Sequence, residues 1–211
     1  MKPNLSLYLI ADTEISTCLP FLQTIERALM GGVTIVQLRS KNNTFHEFME
    51  IARAVRVITS KYQVPFIIND NIQVACEIDA DGVHLGQGDL PIEQARKILG
   101  HKKIIGISTH NPEEAYSAEI KGADYVGAGT VFPTVSKDDI TGIIGVEGVR
   151  KIVLCAKLPV VAIGGIDVSN AAAVMETGVT GVAVISSIMK SDTPRETAEC
   201  LRAIIDRQRK V

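Results

Sequence analysis

The sequence predicts an α/β fold: one (β/α)8 TIM barrel occupying residues 1–211 as a single domain. Three observations lead there. Short β-branched apolar runs alternate with longer segments whose apolar residues recur at helical spacing, through eight rounds. The short runs are continuously apolar rather than alternating, as suits strands covered on both faces. The glycines able to shape a phosphate loop come late, at Gly164-Gly165, whereas an open dinucleotide-binding sheet carries them after its first strand.

The first strand is expected at Leu7–Ala11. The N-terminal stretch MKPNLSLYLIAD superficially resembles a signal peptide. Its apolar run is brief, Asp12 and Glu14 follow at once, and no small-residue cleavage site appears, so it reads as a strand. A helix over Leu22–Met30 leads to strand two, Val33–Leu38, and a longer helix over Phe45–Ser60 leads to strand three, Phe66–Ile68. A short helix at Ile72–Glu77 precedes strand four, Gly82–His84. Pro91–Leu99 and Pro112–Lys121 both place proline at a helix start, and they flank strand five, Ile104–Ile107. Strand six, Tyr125–Gly127, opens the polar, glycine-rich stretch Gly127–Gly145, a length of loop that often serves as a functional lid. Helix Val146–Lys157, strand seven at Val160–Ile163, helix Ser169–Thr177, strand eight at Val182–Ile185 and helix Pro194–Arg209 complete the series.

Composition narrows the function. Apolar residues make up 46% and charged residues 22%, ordinary for a globular chain. A net charge of −2 provides no general nucleic-acid footprint, yet leaves room for a local basic pocket. No apolar stretch approaches the ~18–20 residues of a membrane helix, so a cytoplasmic protein is expected. The four cysteines at 18, 76, 155 and 200 lack metal or redox spacing and read as buried or idle thiols.

In such a barrel, function belongs at the C-terminal ends of the strands. After strand two, Gln37, Arg39 and Lys41 alternate, so extended backbone projects them to one side, where a fork and a point charge suit an anion with several oxygens. The alternative is one ion pair and a solvated lysine. Asn69-Asp70 ends strand three, and Asp89 follows strand four. Each is a good helix N-cap, and together the two aspartates suit a hard divalent cation. His84 is either a core histidine or a site residue. Ser108-Thr109-His110 offers hydroxyls to phosphate or caps the next helix. Thr134, Ser136 and Lys137 lie on the long loop and resemble an anion clamp, or a solvated surface loop. Gly164-Gly165 and Ile185-Ser186 end strands seven and eight, where backbone amides commonly bind a monophosphate.

Taken together, Gln37-Leu38-Arg39-Ser40-Lys41, Ile68-Asn69-Asp70, the run from Asp81 to Asp89, Gly106-Ile107-Ser108-Thr109-His110, Phe132-Pro133-Thr134-Val135-Ser136-Lys137 and Ala162-Ile163-Gly164-Gly165-Ile166 resemble the thiamine-phosphate synthase family, in that family's order and across nearly the whole chain. The stretch Asp138–Ile144 departs from it in being rich in isoleucine. The resemblance implies a transferase that condenses 4-amino-2-methyl-5-pyrimidinylmethyl diphosphate with a hydroxyethylthiazole phosphate, carboxylated or not, releasing pyrophosphate. It implies Mg2+ on Asp70 and Asp89, and Arg39, Lys41, Ser108 and Lys137 as catalytic groups on the leaving diphosphate. It further implies Gln37 and Asn69 on the pyrimidine, with His84 nearby. Thr134, Ser136, Gly165, Ile185 and Ser186 would hold the thiazole phosphate. The partners implied are small molecules, with neither nucleic acid nor membrane, and a homo-oligomer stays open. The alternatives are a thiazole tautomerase of the same superfamily, a non-catalytic barrel sensing a phosphorylated metabolite, and another phosphosugar barrel enzyme such as an isomerase.

Overall fold

The computed structural model describes residues 3–134 and 142–209. Among these, eight parallel strands close on themselves in chain order. They are β1 (Leu7–Asp12), β2 (Ile35–Arg39), β3 (Phe66–Asn69), β4 (Gly82–Leu85), β5 (Ile104–Thr109), β6 (Tyr125–Gly129), β7 (Val160–Ile163) and β8 (Gly181–Val184). β1 pairs with both β2 and β8, which seals the barrel. The helices around it are α1 (Phe21–Met30), α2 (Phe45–Lys61), α3 (Ile72–Glu77), α4 (Ile92–Leu99), α5 (Pro112–Lys121), α6 (Gly145–Cys155), α7 (Ala171–Met175), α8 (Ser186–Met189) and α9 (Pro194–Gln208).

The period of two along each strand separates two cores. Leu7, Leu9, Val36, Leu38, Phe66 and Ile68 point outward and pack against helix residues such as Ile25, Ala28 and Ala52. Tyr8, Ile10, Ile35, Ile67, Tyr125 and Val161 point inward and fill the barrel. Each fully buried aliphatic or aromatic side chain contributes about 1.5–3 kcal/mol. This double burial explains why the strands read as unbroken apolar runs. α2 shows how a helix is fixed in the outer layer. Its start is a capping box between Thr44 and Glu47, worth about 1 kcal/mol, and Phe48, Met49, Ala52, Val55 and Thr59 form its buried stripe.

The strands run further than the apolar patterns suggest. β1, β2, β3 and β5 end on Asp12, Arg39, Asn69 and Thr109. Backbone pairing continues past the last apolar residue, as in the partnering of Asp12 with Arg39 and of Asn69 with His84. The polar ends therefore sit on rigid ladder positions at the mouth. α8 has four residues, too few to leave a periodic signature in the sequence. The four cysteines are exposed and unpaired, which removes the buried alternative for them. Among the described residues no helix is long and apolar enough to cross a membrane.

Candidate active site

A cavity of about 390 Å³ opens at the mouth, lined among others by Arg39, Lys41, Asn69, Asp70, His84, Asp89 and Ser108. The inward positions of β2 deliver Gln37 and Arg39, both nearly buried. Asp12, wholly buried on the neighbouring strand, accepts a hydrogen bond of 2.5 Å from Arg39 Nη1. One edge of the guanidinium is thereby anchored while the side chain still lines the cavity.

Two residues further on, Lys41 Nζ donates to Asp70 Oδ2 at 2.5 Å. Asp70 occupies the left-handed region, with φ of 59°. The chain doubles back there. Asn71 N–H bonds the Asn69 carbonyl at 2.7 Å, and Asp70 N–H bonds the His84 carbonyl at 2.9 Å. A non-glycine residue held in that region is strained by about 1–3 kcal/mol and needs surrounding structure to keep it. The Asp89 carboxyl lies within hydrogen-bonding reach of Asp70. Burial and then Asp89 raise the Asp70 pKa above the ordinary carboxylate value, with Lys41 opposing. Asp89 is itself fixed by the Gly86 N–H, at 2.6 Å from Oδ2.

This pair fits a hard divalent cation. Two oxygen-donor side chains face one another, and their mutual repulsion is the liability that such an ion relieves. Among the described residues no group of three or more His, Cys, Asp or Glu side chains could hold a metal. The remaining coordination positions would fall to water and substrate oxygens, the usual arrangement for magnesium on phosphates.

The capping alternatives are resolved by neighbours. Asn71, not Asn69 or Asp70, caps α3, accepting from Val74 N–H at 3.0 Å. Pro91 occupies the cap position of α4 without a side-chain bond, so Asp89 does not cap it. Asn111 caps α5, accepting from Glu114 N–H at 2.8 Å, and His110 pairs with Glu114 at 2.9 Å. Ser108 instead meets His84, with Oγ 3.1 Å from Nε2.

Beside this cavity is a narrow cleft of about 40 Å³, lined by Thr130, Thr134, Ile163, Gly165, Ile185 and Ser186, among others. Thr130 and Ile163 line both compartments, so the two share a wall. Gly165, at φ of +64°, lets the β6–α6 loop approach. A Cβ there would lie 2.7 Å from the Pro133 carbonyl oxygen. Val131 and Phe132 N–H groups bond the carbonyls of Ile163 and Gly164 at 3.0 and 2.9 Å, tying the loop to the end of β7. Ser136 and Lys137 lie outside the described residues.

Several site residues escaped the sequence reading. Asp12 reads only as the end of an apolar run. Tyr8 and Tyr125 read as ordinary strand formers, yet their hydroxyls meet at 2.8 Å inside the barrel. Thr130 lies outside every segment that carries the family resemblance, and Ile163, though inside the one around Gly164-Gly165, reads there only as the end of a strand. An inward phase shared with Gln37 and Arg39 is the one signal that could have flagged Asp12.

A parallel barrel with a charged compartment and a glycine-shaped compartment side by side is equipped to bring two phosphorylated small molecules together. The comparisons with known proteins narrow that class. The sequence model of the thiamine monophosphate synthase family matches residues 7–188. A thiamine-phosphate synthase from Clostridium novyi is 50% identical over 204 residues, covering 97% of this chain and all of the relative. Another, from Pyrococcus horikoshii, is 46% identical over 205 residues and covers 97% of each. Among solved structures, a thiamine phosphate pyrophosphorylase from Pyrococcus furiosus matches with a TM-score of 0.89 and 45% identity, over 98% of both chains. The chain belongs to the thiamine monophosphate synthase family.

Proposed function

We propose that the barrel condenses a pyrimidinylmethyl diphosphate with a hydroxyethylthiazole phosphate to give thiamine phosphate and pyrophosphate. Family membership makes it a transferase of thiamine biosynthesis. The observation that carries the fuller reading is the meeting of Asp70 and Asp89 beside Lys41 and Arg39 on one cavity, sharing a wall with the glycine-built cleft.

The chemistry demands this division. The bond between the pyrimidinylmethyl carbon and the diphosphate oxygen breaks, and its electron pair leaves with the diphosphate. The thiazole nitrogen then supplies the pair for the new C–N bond. The barrier lies in the negative charge that gathers on the departing oxygen. Arg39, Lys41 and Ser108 line the cavity where that charge would develop and stabilise it with fixed donors. Asp12 holds Arg39 in place, so little reorganisation is needed. Mg2+ on Asp70 and Asp89 would neutralise part of the same charge. Asn69, level with Arg39 at the mouth, and Gln37, two residues further down β2, offer amide groups suited to the polar edge of the pyrimidine. Gly165, Ile185, Ser186 and Thr134 would hold the thiazole phosphate in the cleft, and Thr130 and Ile163 would set the distance between the reacting atoms. Ser136 and Lys137 remain assigned through the family resemblance, to the thiazole phosphate and the diphosphate respectively. No protein nucleophile is required, and among the described residues none lining either compartment is a cysteine.

The test is incubation of purified protein with both substrates and Mg2+, with mass-spectrometric detection of thiamine phosphate and parallel measurement of pyrophosphate. Equal amounts of the two products are expected. Isomerised thiazole without condensation would identify a tautomerase instead, and tight binding without turnover a sensing barrel.

A further inference from the structure

Beneath the cavity a chain of polar groups crosses the barrel interior from β2 to β5. Gln37 Nε2 donates to Tyr8 Oη at 2.8 Å. Tyr8 Oη lies 2.8 Å from Tyr125 Oη, which lies 2.9 Å from His84 Nδ1, and His84 Nε2 lies 3.1 Å from Ser108 Oγ. Five strands contribute, and the two tyrosines are essentially buried. Gly106 makes the crossing possible, because a Cβ there would lie 2.1 Å from the Tyr125 ring. The space around Tyr8, Gln37, His84 and Tyr125 amounts to about 10 Å³, at the lower limit for a single water, so the groups answer to one another directly.

The direction of this chain follows from counting protons. A neutral phenol has one hydrogen to give, and burial keeps both phenols neutral by raising their pKa values. Tyr8 accepts from the Gln37 amide, so its hydrogen goes to Tyr125. Tyr125 then gives its own hydrogen to His84 Nδ1. In a neutral His84 that nitrogen is then the bare one, and the ring proton on Nε2 faces Ser108 Oγ. Ser108 Oγ then accepts from the ring, which leaves its own hydrogen for a partner in the cavity that Ser108 lines.

We propose that Tyr8 and Tyr125 are positioning residues: they form a one-way relay that fixes His84 as its Nε2–H tautomer and thereby aims the Ser108 hydroxyl hydrogen at the leaving diphosphate. The proposal rests on the functional reading above for the identity of the acceptor, though not for the relay.

The experiment reads the tautomer directly. Protein carrying 15N-labelled histidine is observed by long-range proton–nitrogen correlation, with His84→Asn identifying the signal among the four histidines. The expected wild-type result is a bare Nδ1 and a protonated Nε2. In Tyr125→Phe the donor to Nδ1 is gone, so a mixture of tautomers is expected. With that variant kcat should drop roughly tenfold, the equivalent of one hydrogen bond to a charged group, while KM for the diphosphate changes less than about twofold. Tyr8→Phe, which leaves the Tyr125–His84 contact in place, should show a smaller change in both readouts. A wild-type His84 protonated on Nδ1, or a Tyr125→Phe protein with unaltered tautomer and kcat, would overturn the relay. The nitrogen signals need no substrate, so a protein that failed to make thiamine phosphate would refute the functional reading while the tautomer still decided the relay.

Discussion

Asp70 concentrates the electrostatics of the mouth. Its backbone is in the left-handed region, its carboxyl is partly buried, a second carboxyl faces it, and Lys41 compensates in part. A folded pKa above the unfolded value means that between the two the native state binds more protons. Metal-free stability contributed by this group therefore rises as pH falls through the raised value, and levels off near the ordinary 3.8. Above that window the ionised carboxylate is a net cost to the metal-free fold. Thermal unfolding of wild type and Asp70→Asn in chelator, from neutral to acid pH, should show the difference moving in favour of wild type on acidification. Addition of Mg2+ should raise Tm in wild type and leave the variant nearly unmoved. A pH-independent difference, or an equal Mg2+ response in both, would contradict the assignment. Residues of this kind show how far single positions were readable. Gln37, Arg39 and Lys41 announce a shared face because a strand alternates with period two. The partner of Arg39 was hidden, since Asp12 becomes its neighbour only when β1 pairs with β2.

The loops between elements decide which compartments exist. The turn after β3 and the Gly86–Asp89 turn bring the two carboxylates together, while Asn71 and Asn111 take over the capping that the site aspartates and Ser108 would otherwise do. The β6–α6 loop reaches the glycine pair after β7 through two backbone hydrogen bonds. Gly165→Val combines a positive φ with a Cβ placed against Pro133, so it should push this loop away at a cost of roughly 1–3 kcal/mol. KM for the thiazole phosphate should rise at least about tenfold, and KM for the diphosphate should change little. Equal effects on both substrates would mean that the cleft does not belong to the thiazole. The helix and strand order was readable from apolar periodicity. The short α8 was not, because four residues make a single turn. Nor was the extension of the strands into polar residues, since pairing with neighbours, rather than local composition, holds those residues extended.

Barrel closure creates what local sequence lacks. Tyr8 and Tyr125 are separated by 117 positions and share a hydrogen bond only because β1 and β6 face one another across the interior. The same closure puts a charged compartment next to a nearly neutral one on a molecule whose formal charge is only −2, so the concentration of charge at the mouth is local and invisible in the total. The proposed reaction depends on charge stabilisation of a departing diphosphate by converging groups at the mouth. Its most direct test is turnover as a function of Mg2+ concentration in wild type, Asp70→Asn and Asp89→Asn. Magnesium-dependent thiamine phosphate formation is expected in wild type, with kcat lower by roughly 10²–10³-fold in each variant, the scale of losing one fixed transition-state stabiliser. Both variants turning over at the wild-type rate, with the same magnesium dependence, would contradict it.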